Sequence, residues 1–235
     1  MVFEEVMEEL QALGTERMKK MYMKNGAQEP LFGVATGAMK PMAKRIKNNQ
    51  PLAEQLYATN NYDAMYFAGV IAEPNKMSEE DYERWIKAAY FYMLSDYVVA
   101  VTLAEAEIGE SLATKWISSD QELKQSAGWS CYCWMLGNRK DETFNLEDIQ
   151  KKLALVEVSI HTSLPRVQIA MNNFVETVGI SFKPLHSQAL ERARAIGEVK
   201  VEKDNGKVAF INSYQNIEKQ IEKGRIGFKR RYVRC

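Results

Sequence analysis

Helix-capping residues recur along most of this chain, and their recurrence constrains the fold more than any other feature. Each capping signal precedes a stretch in which apolar residues return every three to four positions, as they do on one face of an α-helix. Ser78 with Asp81 and Ser119 with Glu122 have the spacing of capping boxes. Strand-like alternation is scarce until about residue 197. The sequence therefore predicts an all-α fold.

The predicted helices are mostly about 10 to 20 residues long and are joined by short turns. Asn145 and Ser163 are predicted to cap two of the later helices, and Thr36 is predicted to cap the second. A string of this kind is typical of a curved array of antiparallel helical pairs. The predicted segments include residues 2–24, 36–48, 51–59, 61–72 and 163–179.

Near the C-terminal end the pattern changes from helix to strand. Residues 198–203 alternate between apolar and charged, Asp204-Asn205-Gly206 supplies turn residues, and residues 207–211 are predicted to pair back as a β-hairpin. A last helix is predicted at about 213–223, before a basic tail. We therefore expect a helical domain, residues 1–197, and a C-terminal extension, residues 198–235.

Composition excludes several classes of protein. Apolar residues make up 46% of the 235 residues and charged residues 26%, which is ordinary for a globular protein with a sizeable core. The acidic, amphipathic start has no signal-peptide character, and no apolar run approaches the roughly 18 residues of a membrane span. A cytoplasmic location is therefore expected.

Cysteine and histidine are few and badly spaced for a metal site. Cys131, Cys133 and Cys235 form no C-x-x-C pair, and His161 and His186 are isolated along the chain. An odd number of cysteines without such spacing argues against both a disulfide framework and a zinc site. We expect neither a metal nor another cofactor.

Basic residues are concentrated in two segments of a chain whose net charge is zero. The tail after Glu222 has six bases and no acid, so the remaining 25 bases face 31 acids. Each basic segment predicts either phosphate contacts or a merely solvated surface, and the tail could also dock on the acidic body. The candidate DNA-binding residues are Lys40, Lys44, Arg45 and Lys47 in the early helix and Arg225, Lys229, Arg230 and Arg231 in the tail.

One carboxylate lies in an otherwise apolar and aromatic helix. Asp96 follows the run Ala89–Ser95, where an unpaired charge costs several kcal/mol unless something nearby uses it. Tyr92 lies four residues earlier and would share a face of an α-helix with Asp96. The pair predicts either a functional site on a groove or a structural acid paired inside the core.

Several segments occur together in an order that resembles the DNA alkylation repair family of HEAT-like glycosylases. The resemblance covers about residues 30–180, which implies a HEAT-like array of helical pairs. It places Tyr92 and Asp96 at the family's Trp and Asp, and this spacing favours the groove as the setting of Asp96. The segments are Leu31-Phe32-Gly33-Val34, Met42-Ala43-Lys44, Leu56-Tyr57, Asp63-Ala64-Met65 and Glu83-Arg84-Trp85-Ile86, followed by Tyr92 and Asp96.

The same resemblance implies a DNA partner and a partly lost active site. In the family an aromatic residue and an Asp flank an alkylated nucleotide, an Arg grips the DNA backbone and a second Trp stands further along. Asp96 and Tyr92 are therefore the catalytic candidates. Ser126 stands where the family has Arg, and Asn173 stands where it has the second Trp, with Phe174 as a candidate substitute. Serine cannot form the charged fork that holds a phosphate.

The implied chemistry is hydrolysis of the N-glycosidic bond of alkylated purines, in which a carboxylate and aromatic faces stabilise positive charge. Three functions stay open. The first is a glycosylase-like DNA-binding protein whose activity is weak or absent, acting on duplex DNA that is alkylated or structurally unusual. The second is a non-enzymatic module that recognises nucleic-acid structure, and the third is a protein-interaction scaffold.

Overall fold

Helices make up most of the chain in the computed structural model, which describes residues 2–202 and 206–231. The chain divides into two compact units, unit 1 up to Gly109 and unit 2 from Glu110. The all-α prediction is confirmed, with a small two-stranded sheet in unit 2. None of the described helices is long and apolar enough to cross a membrane.

Unit 1 consists of short helices, of which α4 and α5 pack against each other. The predicted helix from Thr36 begins as a 3-10 turn, Thr36–Met39, and continues as α3. A π-helix, Ser95–Val99, connects the last two helices of the unit. The helices are α1 (Phe3–Leu13), α2 (Glu16–Lys24), α3 (Lys40–Ile46), α4 (Gln50–Tyr57), α5 (Tyr62–Ile71), α6 (Glu79–Ala88), α7 (Tyr92–Leu94) and α8 (Ala100–Ala104).

The prediction of a single N-terminal helix is wrong, because the helix is interrupted between α1 and α2. The Thr15 hydroxyl accepts a hydrogen bond from the Met18 N–H at 3.3 Å and so caps α2. Gly14 forms an isolated antiparallel bridge with Val34, and a Cβ on Gly14 would lie 2.4 Å from the carbonyl oxygen of Phe32. Because Gly14 has no side chain, the segment after α2 that contains Phe32 and Val34 can pass close to the interruption between α1 and α2.

Asp63, at the start of α5, binds three backbone N–H groups of that same segment. Its Oδ2 accepts hydrogen bonds from Phe32 at 2.6 Å and Gly33 at 2.9 Å, and its Oδ1 accepts one from Val34 at 2.8 Å. We call this arrangement the Asp63 clamp. Buried backbone amides need a partner, and no regular secondary structure supplies one here. The clamp therefore fixes an irregular segment against α5.

Unit 2 is organised around its longest helix, α12. This helix packs against α10, α13, α14 and β1, and the buried rings of Phe174 on α12 and Trp129 on α10 lie 5.1 Å apart. The helices and strands are α9 (Gly109–Trp116), α10 (Glu122–Leu136), α11 (Leu146–Ser159), α12 (Pro165–Ser181), α13 (His186–Ile196), β1 (Val199–Glu202), β2 (Val208–Ile211) and α14 (Ser213–Glu222).

The predicted β-hairpin is confirmed. β1 and β2 pair antiparallel with Val199 opposite Ile211, while Lys203 of the predicted first strand and Asp204 and Asn205 of the predicted turn lie outside the described residues. Val199 and Val201 are buried, as the alternation of β1 predicts. The predicted domain boundary at residues 197 and 198 falls just after the end of α13, and β1 and α14, which follow it, pack on α12 in unit 2.

Two of the five predicted helix caps are confirmed and three are wrong, including Thr36, which lies inside the 3-10 turn Thr36–Met39 and does not cap it or α3. Ser78 forms a capping box with Asp81, and the Asn145 side chain caps α11. Ser119 does not cap α10, because its hydroxyl accepts from the N–H two residues later while the helix begins at Glu122. The Ser163 hydroxyl donates to a carbonyl at the end of α11 instead of capping α12. Both serine hydroxyls instead form a local hydrogen bond in the connection that precedes the helix.

Glu176 on α12 joins that helix to α14. Its Oε1 accepts hydrogen bonds from Asn172 Nδ2 at 2.6 Å and from Asn216 Nδ2 at 2.7 Å. Burial raises the pKa of the Glu176 carboxyl, against the opposing effect of the two hydrogen bonds and of the Lys219 charge. The folded state therefore favours the protonated form of this group.

We expect Glu176→Gln to remove part of the pH dependence of stability. A carboxyl whose pKa is raised on folding stabilises the fold fully below its unfolded-state pKa, and this contribution disappears as pH rises through the folded-state pKa. Urea unfolding of the wild type from about pH 4 to about pH 8 should therefore show a loss of stability with rising pH that the variant lacks. Exposed Glu218, changed to Gln, is the matched control. An unchanged pH profile in Glu176→Gln would contradict this expectation.

Candidate functional site

The candidate site begins with an irregular turn of helix in unit 1. Ser95–Val99 form a π-helix between α7 and α8, and the Ala100 N–H donates to the Ser95 carbonyl five residues earlier. The turn approaches α5 at Gly69, where a Cβ would stand 2.7 Å from Val98 Cγ1. A glycine at this position therefore permits the close packing. Single π-helical turns within α-helices frequently occur at functional sites.

The structure places Asp96 in this turn and Tyr92 at the start of α7 just before it, in different surroundings. Tyr92 is half-buried, whereas Asp96 is 1% exposed and its Oδ1 accepts a hydrogen bond from the Ser95 hydroxyl at 2.9 Å. The expected open setting of Asp96 is therefore wrong, because the carboxylate is enclosed by protein. The catalytic assignment of the two residues stays a prediction.

Tyr97 is a candidate that the sequence reasoning missed. Its ring lies 6.3 Å from that of Tyr92 at an interplanar angle of 73°, and the residue is 40% exposed. On a regular α-helix, residues five apart point about 140° away from each other. The π-helix holds about one more residue per turn and brings the two rings together. The sequence does show an aromatic residue directly after Asp96. On a regular α-helix, however, its ring would point away from that of Tyr92.

Two buried aromatic residues, Phe91 and Tyr62, connect Tyr92 to the core. Its ring contacts Phe91 edge to face, with centroids 5.8 Å apart, and Phe91 lies 5.2 Å from Tyr62. Phe91 is 7% exposed and Tyr62 is 1% exposed, and burial raises the pKa of the Tyr62 hydroxyl well above its usual value. These contacts anchor the rings of half-buried Tyr92 and exposed Tyr97 to the core of unit 1.

The two positions that the family resemblance marks as lost lie in unit 2. Ser126 is fully buried on α10, and Asn173 is half-buried on α12. Phe174 is not a substitute for the missing ring, because it is fully buried and its ring packs against Trp129 and Tyr132 at 5.1 and 6.1 Å. These three aromatic residues form part of the core.

The early basic helix is exposed in unit 1. Lys40, Lys44, Arg45 and Lys47 all lie at the surface, and Arg45 forms an ion pair with Glu9 at 2.6 Å. Across the part of the chain that the structure describes, Lys40, Lys44 and Lys47 form no ion pair. These three lysines are therefore better placed than Arg45 to meet an external anion.

The basic tail docks on unit 2 through backbone and side-chain contacts. Lys229 pairs with Asp141 at 2.6 Å and donates to the Leu136 carbonyl at 2.7 Å. The Arg230 guanidinium lies 4.6 Å from the ring centre of Trp134, while its N–H donates to the Gly137 carbonyl. Docking on the body thus accounts for Lys229. Arg225, Arg230 and Arg231 remain exposed, whereas Tyr232, Arg234 and Cys235 lie outside the described residues.

No grouping of three or more His, Cys, Asp or Glu residues that could hold a metal ion occurs within residues 2–202 and 206–231. Cys131 is buried and Cys133 is half-buried, and among the described residues neither forms a disulfide bond. The chemistry available near Tyr92 is therefore that of aromatic faces, a buried carboxylate and hydroxyl groups.

Short helices that carry Tyr92 and Asp96 four positions apart match the class of DNA repair protein that the sequence resembles. The chain belongs to the DNA alkylation repair enzyme family, whose sequence profile matches residues 5–205. Two similar proteins are uncharacterized. Lmo0209 of Listeria monocytogenes is 28% identical over 222 residues, and Lin0241 of Listeria innocua is 30% identical over 225 residues. Each alignment covers 92% of this chain and 96% of the relative.

A solved structure is more similar still. It is described as a new family of proteins related to the HEAT-like repeat DNA glycosylases with affinity for branched DNA structures. That protein is 61% identical to this chain, the comparison covers 100% of both chains, and the TM-score is 0.97. The HEAT-like repeat fold expected from the sequence is thereby confirmed.

Proposed function

We propose that this protein binds branched DNA and recognises the structure of the DNA, with little or no excision of alkylated bases. The observation that carries the proposal is the 61% identity, over the whole chain, to a protein described as having affinity for branched DNA. A cytoplasmic location, where DNA is accessible in a bacterial cell, is part of the same proposal.

The exposed lysines of unit 1 support phosphate binding. Lys40 and Lys44 are one helical turn apart on α3, and Lys47 directly follows the helix. Contacts from such lysines to the DNA backbone position a protein without reading sequence. A protein that recognises the shape of branched DNA needs such contacts to the phosphates of its strands.

The altered family positions support weak or absent excision. Ser126 offers a neutral hydroxyl where the family has a charged Arg, and Asn173 offers an amide where it has an aromatic face. The buried setting of Asp96 also limits access of a nucleotide to its carboxylate. Binding of DNA structure needs none of these groups, whereas hydrolysis of a glycosidic bond needs stabilisation of developing charge.

Binding of a four-way junction and of a linear duplex with the same sequence tests the proposal. We expect the wild type to bind the junction at least about tenfold more tightly, with affinity falling steeply from about 50 to about 200 mM salt. Lys40→Ala with Lys44→Ala should weaken binding and make the logarithmic salt slope less steep by about 2. Fluorescence anisotropy measures both quantities.

Lys140→Ala with Lys151→Ala is the matched control, since it removes two exposed lysines from unit 2. This variant should retain the wild-type slope if the α3 lysines contact phosphate. Equal affinity for the junction and the linear duplex would contradict the structural preference. Absence of binding at about 50 mM salt would favour the protein-interaction scaffold.

A further inference from the structure

Two tyrosine rings of unit 1 meet at the surface only because of the π-helix. Tyr92 and Tyr97 are five residues apart and their ring centroids are 6.3 Å apart. A regular α-helix would point them about 140° apart. Gly69 permits the π-helical turn to pack against α5, since a Cβ there would approach Val98 Cγ1 to 2.7 Å. The fold thus combines an irregular turn with a closely packed glycine, and the result is a pair of adjacent rings.

The pair is held rigidly on one side and open to solvent on the other. Tyr92 rests against Phe91, which is 7% exposed and itself packs on Tyr62. Tyr97 is 40% exposed, although a ring that served only the core would be covered. A ring already fixed by its neighbours loses little conformational freedom when it binds a ligand. This is the arrangement of a preformed aromatic binding surface.

A nucleobase is the ligand whose chemistry fits this surface. Aromatic side chains stack on bases of any sequence, because every base has a π-face. Bases inside a continuous duplex are stacked on both sides and offer no free face. An unpaired base at a DNA branch point does offer one, and branched DNA is the ligand class of the proposed function.

We propose that Tyr92 and Tyr97 form a stacking platform for an unpaired nucleobase at a DNA branch point. The proposal rests on the proposed function and names the part of the branched DNA that unit 1 recognises. Tyr97 supplies the exposed ring, and Tyr92 holds that ring in place from the anchored side. Neither ring takes part in bond cleavage in this role.

A four-way junction with one unpaired 2-aminopurine at its centre tests the proposal, because stacking quenches the fluorescence of this base. We expect the wild type to quench it on binding. Tyr97→Ala should lose the quenching and weaken binding about 5- to 100-fold, the range expected for loss of one stacked base. Tyr97→Phe keeps the ring and should retain both properties. Affinity for a linear duplex should change less than about twofold.

Tyr214→Ala is the matched control, because it removes a half-buried tyrosine from α14 in unit 2 and should leave the quenching unchanged. If the wild type binds the junction but Tyr97→Ala quenches and binds equally well, the platform is refuted and the proposed function survives. An equal loss of affinity for the linear duplex would also refute it. If the wild type does not bind the junction at all, the proposed function itself fails.

Discussion

Replacing Asp63 by alanine is expected to lower the free energy of unfolding by about 4 kcal/mol, because three N–H groups lose their acceptor together. The carboxylate is fully buried and accepts from Phe32, Gly33 and Val34 at 2.6 to 2.9 Å. The substitution leaves these three buried or part-buried donors without their acceptor. Urea unfolding followed by circular dichroism, with the slope of the transition held to the wild-type value, measures the change.

Asp63→Asn keeps the shape of the side chain in the clamp and removes its negative charge. One amide oxygen can still accept, but the other position becomes a donor that faces N–H groups, so we expect a loss of at least about 2 kcal/mol. Exposed Asp120, changed to alanine, is the control and should shift stability by less than about 0.5 kcal/mol. If Asp63→Ala unfolded at the wild-type urea midpoint, the clamp would have no energetic role.

Release of N7- or N3-alkylated purines is expected to be about two to four decades slower than in family members that retain all four functional residues. Ser126 lacks the charged hydrogen bond of the family's Arg, and Asn173 lacks a stacking face, which together are worth about 3–5 kcal/mol. Single-turnover assays on alkylated duplex DNA measure the rate of base release. Efficient release by the wild type would show that other residues have taken over the missing roles.

Introducing the family's Arg at position 126 alone is not expected to restore excision of alkylated bases. Ser126 is fully buried on α10, so Ser126→Arg would place a charge inside unit 2 and destabilise it. Asp96→Asn provides the complementary test, because any residual excision that depends on this carboxylate should disappear. A Ser126→Arg variant that folds normally and gains excision would contradict the expected cost of burial.

Local signals in the sequence predicted those elements whose determinants lie close together along the chain. The capping box of Ser78 and the cap at Asn145 each involve residues three positions apart, and both are present. The hairpin of β1 and β2 was likewise visible as alternation around a turn. The wrong caps at Ser119 and Ser163 arose because a serine can satisfy its hydroxyl within the preceding turn equally well.

Contacts between residues distant along the chain produced the features that the sequence did not reveal. The Asp63 clamp joins two segments about thirty residues apart, although both segments had carried the family resemblance separately. The π-helix packs against α5 where Val98 meets Gly69. Neither neighbour can be inferred from periodicity along a single helix. The break after α1 has the same origin, since Gly14 meets Val34 there.

The candidate site was predictable in its residue types and not in its surroundings. The four-residue spacing located Tyr92 and Asp96, but the burial of Asp96 and the partnership of Tyr97 follow from the π-helix. Phe174 was considered as a replacement ring because of its position in the sequence. Packing against Trp129 instead makes it part of the core.

The docked tail has a consequence for the order in which the protein folds during synthesis. The contacts that define unit 1 among the described residues lie within its first 109 positions, so this unit can form while unit 2 is still being translated. The end of α10 is different, because Leu136 and Asn138 bond to Lys229 and Arg230, which are made more than ninety residues later. Translation of the last part of the chain therefore completes the packing around α10.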